Sequence, residues 1–331
     1  MTKGTKAFRI IISILLALTM LISAFCVFVF FMDYSREAYG IYVAGVSVTK
    51  DNEDDVLGDG TVCYDPYNNI LTFNNATIEY EYNVVYSSID LTINLIGENK
   101  FVSTSEVYSI GIYAGDDTLA KDLSISGDGS LTIEMPNKAM ESVGIFASEL
   151  IIGSDVKITT PDCEKQVNGI VCASSLLIVG KAEVNVNSGA SNYCSAVRVR
   201  GNAFLEEGTA LNISVKSGTT ETCKGLTVSG DLFLGKDTKV DVSIDDGGAN
   251  QGQCIRVSGL MEIGAGSTVK ASAKSTYAIE CLGTIEANKD AVISAASEKK
   301  DHDIFCSGAM LNYGASVDGE IEALGGIHNR D

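Results

Sequence analysis

The chain has 331 residues, with 24 Lys+Arg against 43 Asp+Glu, a net charge of −19, two His and no Trp. An apolar content of 45% is enough to offset chain entropy and excludes a disordered polypeptide. The acidity excludes nucleic acid as a partner, since phosphate binding needs a basic stripe, and the scarcity of His argues against His-centred catalysis and His-rich metal sites.

Taken from the N-terminus, Lys3, Lys6 and Arg9 precede an uncharged apolar run over residues 10–31. At about 1.5 Å per residue such a run is long enough for a ~30 Å hydrocarbon core, and longer than the roughly 7–15 residues of a secretory signal. The expected organisation is a cytoplasmic basic tail (1–9), a transmembrane signal anchor (10–32) and a linker (33–40). An extracellular domain (41–331) would follow, on a single-pass plasma-membrane protein with its N-terminus inside.

The remainder is a repeat. VGIFASELIIGSDVKITT (143–160) returns as NGIVCASSLLIVGKAEVNVN (168–187) and as SAVRVRGNAFLEEGTALNISV (195–215). It returns again as KGLTVSGDLFLGKDTKVDVSI (224–244), CIRVSGLMEIGAGSTVKASA (254–273) and AIECLGTIEANKDAVISA (278–295), and last as DIFCSGAMLNYGASVDGEI (303–321). A small residue opens most copies: Gly144, Gly169, Ala196, Gly225, Cys254 and Ala278, with Asp303 in that slot of the last. Upstream, 111–133, 84–102 and 61–78 form three further copies. Each copy holds three short segments of period two joined by Gly, Ser, Asn and Asp. That pattern predicts an all-β chain, a single-stranded parallel β-helix (β-solenoid) of about ten coils stacked about 4.8 Å apart, preceded by the one transmembrane helix. Two inward ladders are expected. One is Ile145, Ile170, Val197, Leu226, Ile255, Ile279 and Ile304; the other is Val156, Val184, Leu211, Val240, Val269, Val292 and Val317.

Eight cysteines follow the apolar run. Cys172, Cys281 and Cys306 fall in the slot of Val199, Val228 and Val257, and are expected inside as small hydrophobes. Cys194 and Cys223 share another slot in adjacent coils. Stacked neighbours lie within disulfide reach, so this pair is either one cross-link or two reduced core thiols. No Cys-x-x-Cys occurs, which removes the usual zinc spacing.

Three groups of residues are candidates for chemistry. Asp54, Asp55 and Asp59 lie in the densest acidic stretch and make calcium a candidate cofactor. Counted from Asp51, however, the EF-hand positions for Gly and Glu hold Val56 and Val62, and the stretch also reads as an N-terminal turn. Arg198 and Arg256 are expected outward in equivalent slots with Thr227 between them and Glu280 beyond. This column offers either a basic residue for a lyase or an ordinary charged face. Tyr80 and Tyr82 share one strand face and offer a stacking platform for sugar rings, or else cover the end of the stack.

Residues 42–78, YVAGVSVTKDNEDDVLGDGTVCYDPYNNILTFNNATI, with DLTINLIGENKF (90–101) and DLSISGDGSLTI (122–133), resemble the opening of a family of exported β-helix proteins of Gram-positive bacteria described as carbohydrate-binding domain-containing. The resemblance covers about residues 41–160. It implies a right-handed β-helix at the cell surface and, for some relatives, polysaccharide binding with calcium. It brings no catalytic motif with it.

The expected function is therefore a membrane-anchored, non-catalytic surface solenoid for adhesion or binding of a polysaccharide or cell-wall component. The alternatives are a β-helix polysaccharide lyase-like enzyme and a structural spacer or assembly module without a ligand. Outward carboxylates beside Arg198 or Arg256 would favour the lyase, and a flat aromatic groove near Tyr80 and Tyr82 would favour binding.

Overall fold

The structure, a computed structural model, describes residues 18–24 and 38–330, apart from 117, 136–137, 217, 219–220, 247–249, 275 and 299–302. Most of the expected anchor, and the basic tail before it, lies outside the described residues. Residues 18–24 are helical. A helix of that length spans only about 10 Å, and among the described residues no helix is long and apolar enough to cross a membrane. The expectation of a transmembrane helix is corrected accordingly.

From residue 38 onward the described chain is all β, wound as a parallel solenoid. Among the described residues its three faces are sheets of 12, 12 and 10 strands. About eight turns run without interruption from Leu91–Ile96 to Ile304–Cys306, rather than the ten expected, because the windings at either end are altered. At the start, β1 (Ala38–Val43) pairs antiparallel with β2 (Val46–Thr49), and β3 (Val62–Asp65) pairs antiparallel with β4 (Ile70–Asn74). These hairpins occupy the strand edges that the stack would otherwise present. At the far end the strands shrink to three residues and their side chains open to solvent, as at Ile327–Asn329.

The inner column of the first face runs in register through Ile145, Ile170, Val197, Leu226, Ile255, Ile279 and Ile304, all of them buried. Burying each such side chain contributes roughly 1.5–3 kcal/mol, which a single winding has no means to do for itself. The column of the third face runs through Val156, Val184, Leu211, Val240 and Val269 as expected, and then through Ile293 to Val317. Val292, placed inside by the sequence pattern, is 41% exposed. The connecting turn explains the correction. Between the second and third faces the chain takes the same number of residues from Ile178 to Val184, Leu205 to Leu211, Leu234 to Val240, Ile263 to Val269 and Ala287 to Ile293. The third residue of each turn has positive φ: Lys181, Gly208, Asp237, Gly266 and Asp290. Gly and Asp adopt this conformation at little cost, and the recurring kink sets the length of the turn.

Cross-strand pairing on the first face skips Gly144, Gly169, Ala196 and Gly225, the small residues that open the repeats. A Cβ built on Gly225 would stand 2.5 Å from Val242 Cγ1 and 2.6 Å from the Cys254 carbonyl oxygen. The small residue therefore allows the first and third faces to close on one another.

Candidate binding surface

The outer side of the first face carries two side-chain columns that bear on function. One runs, rung by rung, through Tyr86, Tyr113, Phe146, Val171, Arg198, Thr227, Arg256, Glu280 and Phe305. Its first part is aromatic. The Tyr86 and Tyr113 rings stack at 5.9 Å between centroids, and Tyr113 stacks on Phe146 at 4.8 Å. Tyr42 meets the edge of Tyr86 at 5.8 Å. Parallel in-register strands bring identical slots about 4.8 Å apart, close to a ring-stacking distance, so like rings in successive turns form a ladder. The ladder presents a half-buried strip of ring edges to solvent.

The second column runs through Val143, Asn168, Ser195, Lys224 and Gln253. Asn168 and Ser195 are only 5% and 8% exposed. Side chains that point away from the core yet are nearly buried mark a concave surface. A cavity of about 240 Å³ lies there, lined by Asn168, Tyr193, Ser195, Arg198, Thr222 and Lys224 among others, and among the described residues no carboxylate lines it.

Arg198 and Arg256 thus stand where the sequence placed them, outward in one column, with Thr227 between and Glu280 beyond. Arg256 donates to Glu280, Nη1 to Oε2 at 2.9 Å. The Arg198 and Lys224 side chains, by contrast, take part in no ion pair or hydrogen bond among the described residues. Burial holds Lys224 below its ordinary pKa, and the charges of Arg256 and Arg198 push it the same way. Arg198 is lowered too, chiefly by burial and further by Arg200. The Ser195 and Thr227 hydroxyls are buried without a hydrogen-bond partner.

Tyr80 and Tyr82 do not form a flat platform. Their rings meet edge-on, centroids 6.0 Å apart with planes at 67°. Tyr80 packs against the core beneath the β1–β2 turn at Gly45, while Tyr82 is exposed. The acidic stretch is a turn. The Asp55 carboxylate accepts from the Gly58 and Gly60 N–H groups at 2.9 and 3.0 Å, and Asp59 accepts from the Thr61 N–H and hydroxyl. Those two hydrogen bonds hold the Asp59 carboxyl below its usual range. Asp55 and Asp59 are each engaged through one carboxylate oxygen with donors of the turn itself. Among the described residues no group of three or more His, Cys, Asp or Glu is placed to hold a metal.

Cys194 and Cys223 are in register on adjacent strands, both buried, and neither forms a disulfide. Burial pushes the Cys194 thiol well up, and the neighbouring Cys223 adds to it. Cys172, Cys281 and Cys306 are fully buried, as the repeat slot required.

The comparisons with known proteins find no matching family, no matching curated protein and no matching solved structure.

Sequence reasoning missed Lys224, Asn168 and Ser195 as a unit. Each lies next to the skipped small residue, where strict alternation breaks and face assignment by period two fails. The aromatic ladder was open to discovery from the same alignment, because Tyr113 and Phe146 fill, in earlier copies, the slot of Arg198.

Proposed function

We propose that this chain is a non-catalytic binding solenoid, exported from the cytoplasm, that holds an extended polysaccharide or cell-wall component along the outer side of its first face. The observation that carries the reading is the continuity of that face. An aromatic strip from Tyr86 to Phe146 is followed in the same column, past the single rung of Val171, by the sheltered polar cavity at Arg198 and Lys224. Protein sites for sugars pair apolar ring contacts with fixed polar groups, and a rigid stacked sheet supplies both at little entropic cost. The resemblance of residues 41–160 to exported carbohydrate-binding β-helix proteins supports the same reading. A lyase would call for carboxylates beside a free base. The carboxylate in this column, Glu280, is instead ion-paired to Arg256.

The test is retention of the full chain on immobilised neutral and acidic glycans, with and without calcium, with the eluate assayed for unsaturated sugars. Retention without product formation is expected. Failure to bind any glycan would leave the spacer reading in its place, and release of unsaturated products would establish the lyase.

A further inference from the structure

Arg198 and Lys224 are unusual in this molecule. The chain carries 43 Asp and Glu, yet none of the described ones lines the cavity these two cations share. Of the other half-buried cations among the described residues, Lys100, Lys121, Arg256 and Lys274 each have a carboxylate partner within 4 Å. Arg198 and Lys224 are half-buried, on adjacent strands and in adjacent columns. Burial disfavours the charged form of Lys224, and repulsion from the neighbouring Arg256 and Arg198 charges adds to that. Gathering unpaired positive charge in a recess costs stability unless something of opposite sign enters. Two neutral donors are in place around it. The Ser195 hydroxyl is buried and unpartnered, one rung from Lys224 in the same column. Asn168, one rung to the other side, brings a nearly buried amide.

We infer that the cavity between Asn168, Ser195, Arg198 and Lys224 is an oxyanion site, which takes the carboxylate or sulfate ester of an acidic polysaccharide lying along this face. The inference rests on the polysaccharide reading and narrows it to charged chains. A guanidinium offers a planar fork of donors that matches an oxyanion, and the lysine adds a point charge from the side. The hydroxyl and amide then satisfy remaining lone pairs in a site partly shielded from water, where charge-assisted hydrogen bonds are strongest. Arg256 contributes field and not contact, because Glu280 holds its guanidinium. The aromatic strip beginning one rung beyond Val171 would carry the neighbouring sugar rings, so charge and apolar contact are read by different stretches of one groove.

The experiment uses the full chain with three hexasaccharide probes of different charge: oligogalacturonate, a sulfated oligosaccharide and a neutral hexaose. Affinity is measured by calorimetry at low and high NaCl. In parallel, galacturonate monomer and inorganic sulfate are titrated while the Arg198 Nε–H signal is followed by NMR. Oligogalacturonate or the sulfated probe should bind at least about tenfold more tightly than the neutral one, and whichever binds more tightly identifies the source of the oxyanion. Lys224→Met, which keeps the aliphatic stem, and Arg198→Gln should each weaken the acidic probe by about ten- to a hundredfold and leave the neutral probe unchanged. Arg198→Lys should fall between Arg198→Gln and wild type. Lys239→Met, an exposed site on the third face, should change nothing. Equal binding of charged and neutral probes, unaltered by the variants, would overturn the oxyanion site and leave the polysaccharide reading standing. Perturbation of Arg198 by the small anions with no binding of any hexasaccharide would keep the oxyanion site and remove the polysaccharide. Circular dichroism of each variant separates lost binding from lost fold.

Discussion

Replacing Ile170 by alanine tests how the stack is held together. The side chain is fully buried in the inner column, in register with Ile145 on one side and Val197 on the other. The change removes three carbons. At about 0.8 kcal/mol per buried carbon group, the transfer loss alone comes to about 2.4 kcal/mol. The flanking strands are held by sheets on both sides and have little freedom to collapse, so the residual cavity should carry the total into the range of about 2–5 kcal/mol. Because each winding touches only its neighbours, the damage should be local. Native-state hydrogen exchange is the suitable assay, since a long stack need not unfold in one step. Opening free energies should fall in Glu141–Ala147, Gln166–Cys172 and Tyr193–Val199, and should hold in Thr268–Ala273, several turns away. Lys157→Ala, outward and exposed on Asp155–Thr159, should shift stability by no more than about 0.5 kcal/mol. A loss at Ile170 no larger than that at Lys157, or one spread evenly over all turns, would refute the stacked-column reasoning.

Three other outcomes are expected. Gly225→Val should cost about 1–3 kcal/mol or more by chemical denaturation, because its Cβ would run into Val242 and the Cys254 carbonyl, while Gly225→Ala should cost less, as Ala196 fills the equivalent slot one turn earlier. Asn99→Leu should lower stability by about 1–3 kcal/mol, since the buried Asn99 carbonyl accepts the Ala76 N–H at 2.9 Å and leucine would leave that donor unpaired. Of the eight described cysteines, only the exposed Cys63 should react quickly with a thiol reagent in the native protein, the other seven becoming reactive on unfolding; fast labelling of Cys254 would contradict the packing.

Much of this molecule was legible from residue order alone. A solenoid repeats one local problem many times, so seven copies in register reveal which slot faces inward, and the Ile145–Ile304 column follows directly. The slip at Val292 shows the limit of that method. Val292 and Ile293 are both aliphatic, and only the kinked turn at Asp290 decides which one enters the core. The apolar run at 10–31 illustrates a different limit. Hydropathy says that a helix of that length would suit a bilayer, whereas the described helix covers residues 18–24 only. The groove was least legible of all. Asn168, Ser195 and Lys224 come from three different turns and lie beside a residue that interrupts alternation, so neither spacing nor composition joins them. Their proximity, and the absence of any carboxylate among them, is a property of the folded stack. The reverse holds for Tyr80, whose place beside Tyr82 in the chain suggested a platform but whose ring supports the N-terminal hairpin instead.

The most direct measurement is hydroxyl-radical footprinting of the full chain with and without a retained acidic oligosaccharide. Protection should concentrate on Tyr113, Phe146 and the exposed Tyr193, with Tyr67 and Leu324 unchanged as exposed residues outside the groove. Protection centred on Tyr67, on Leu324 or on the second and third faces, with Tyr193 left as reactive as before, would contradict the assignment of the first face as the binding surface.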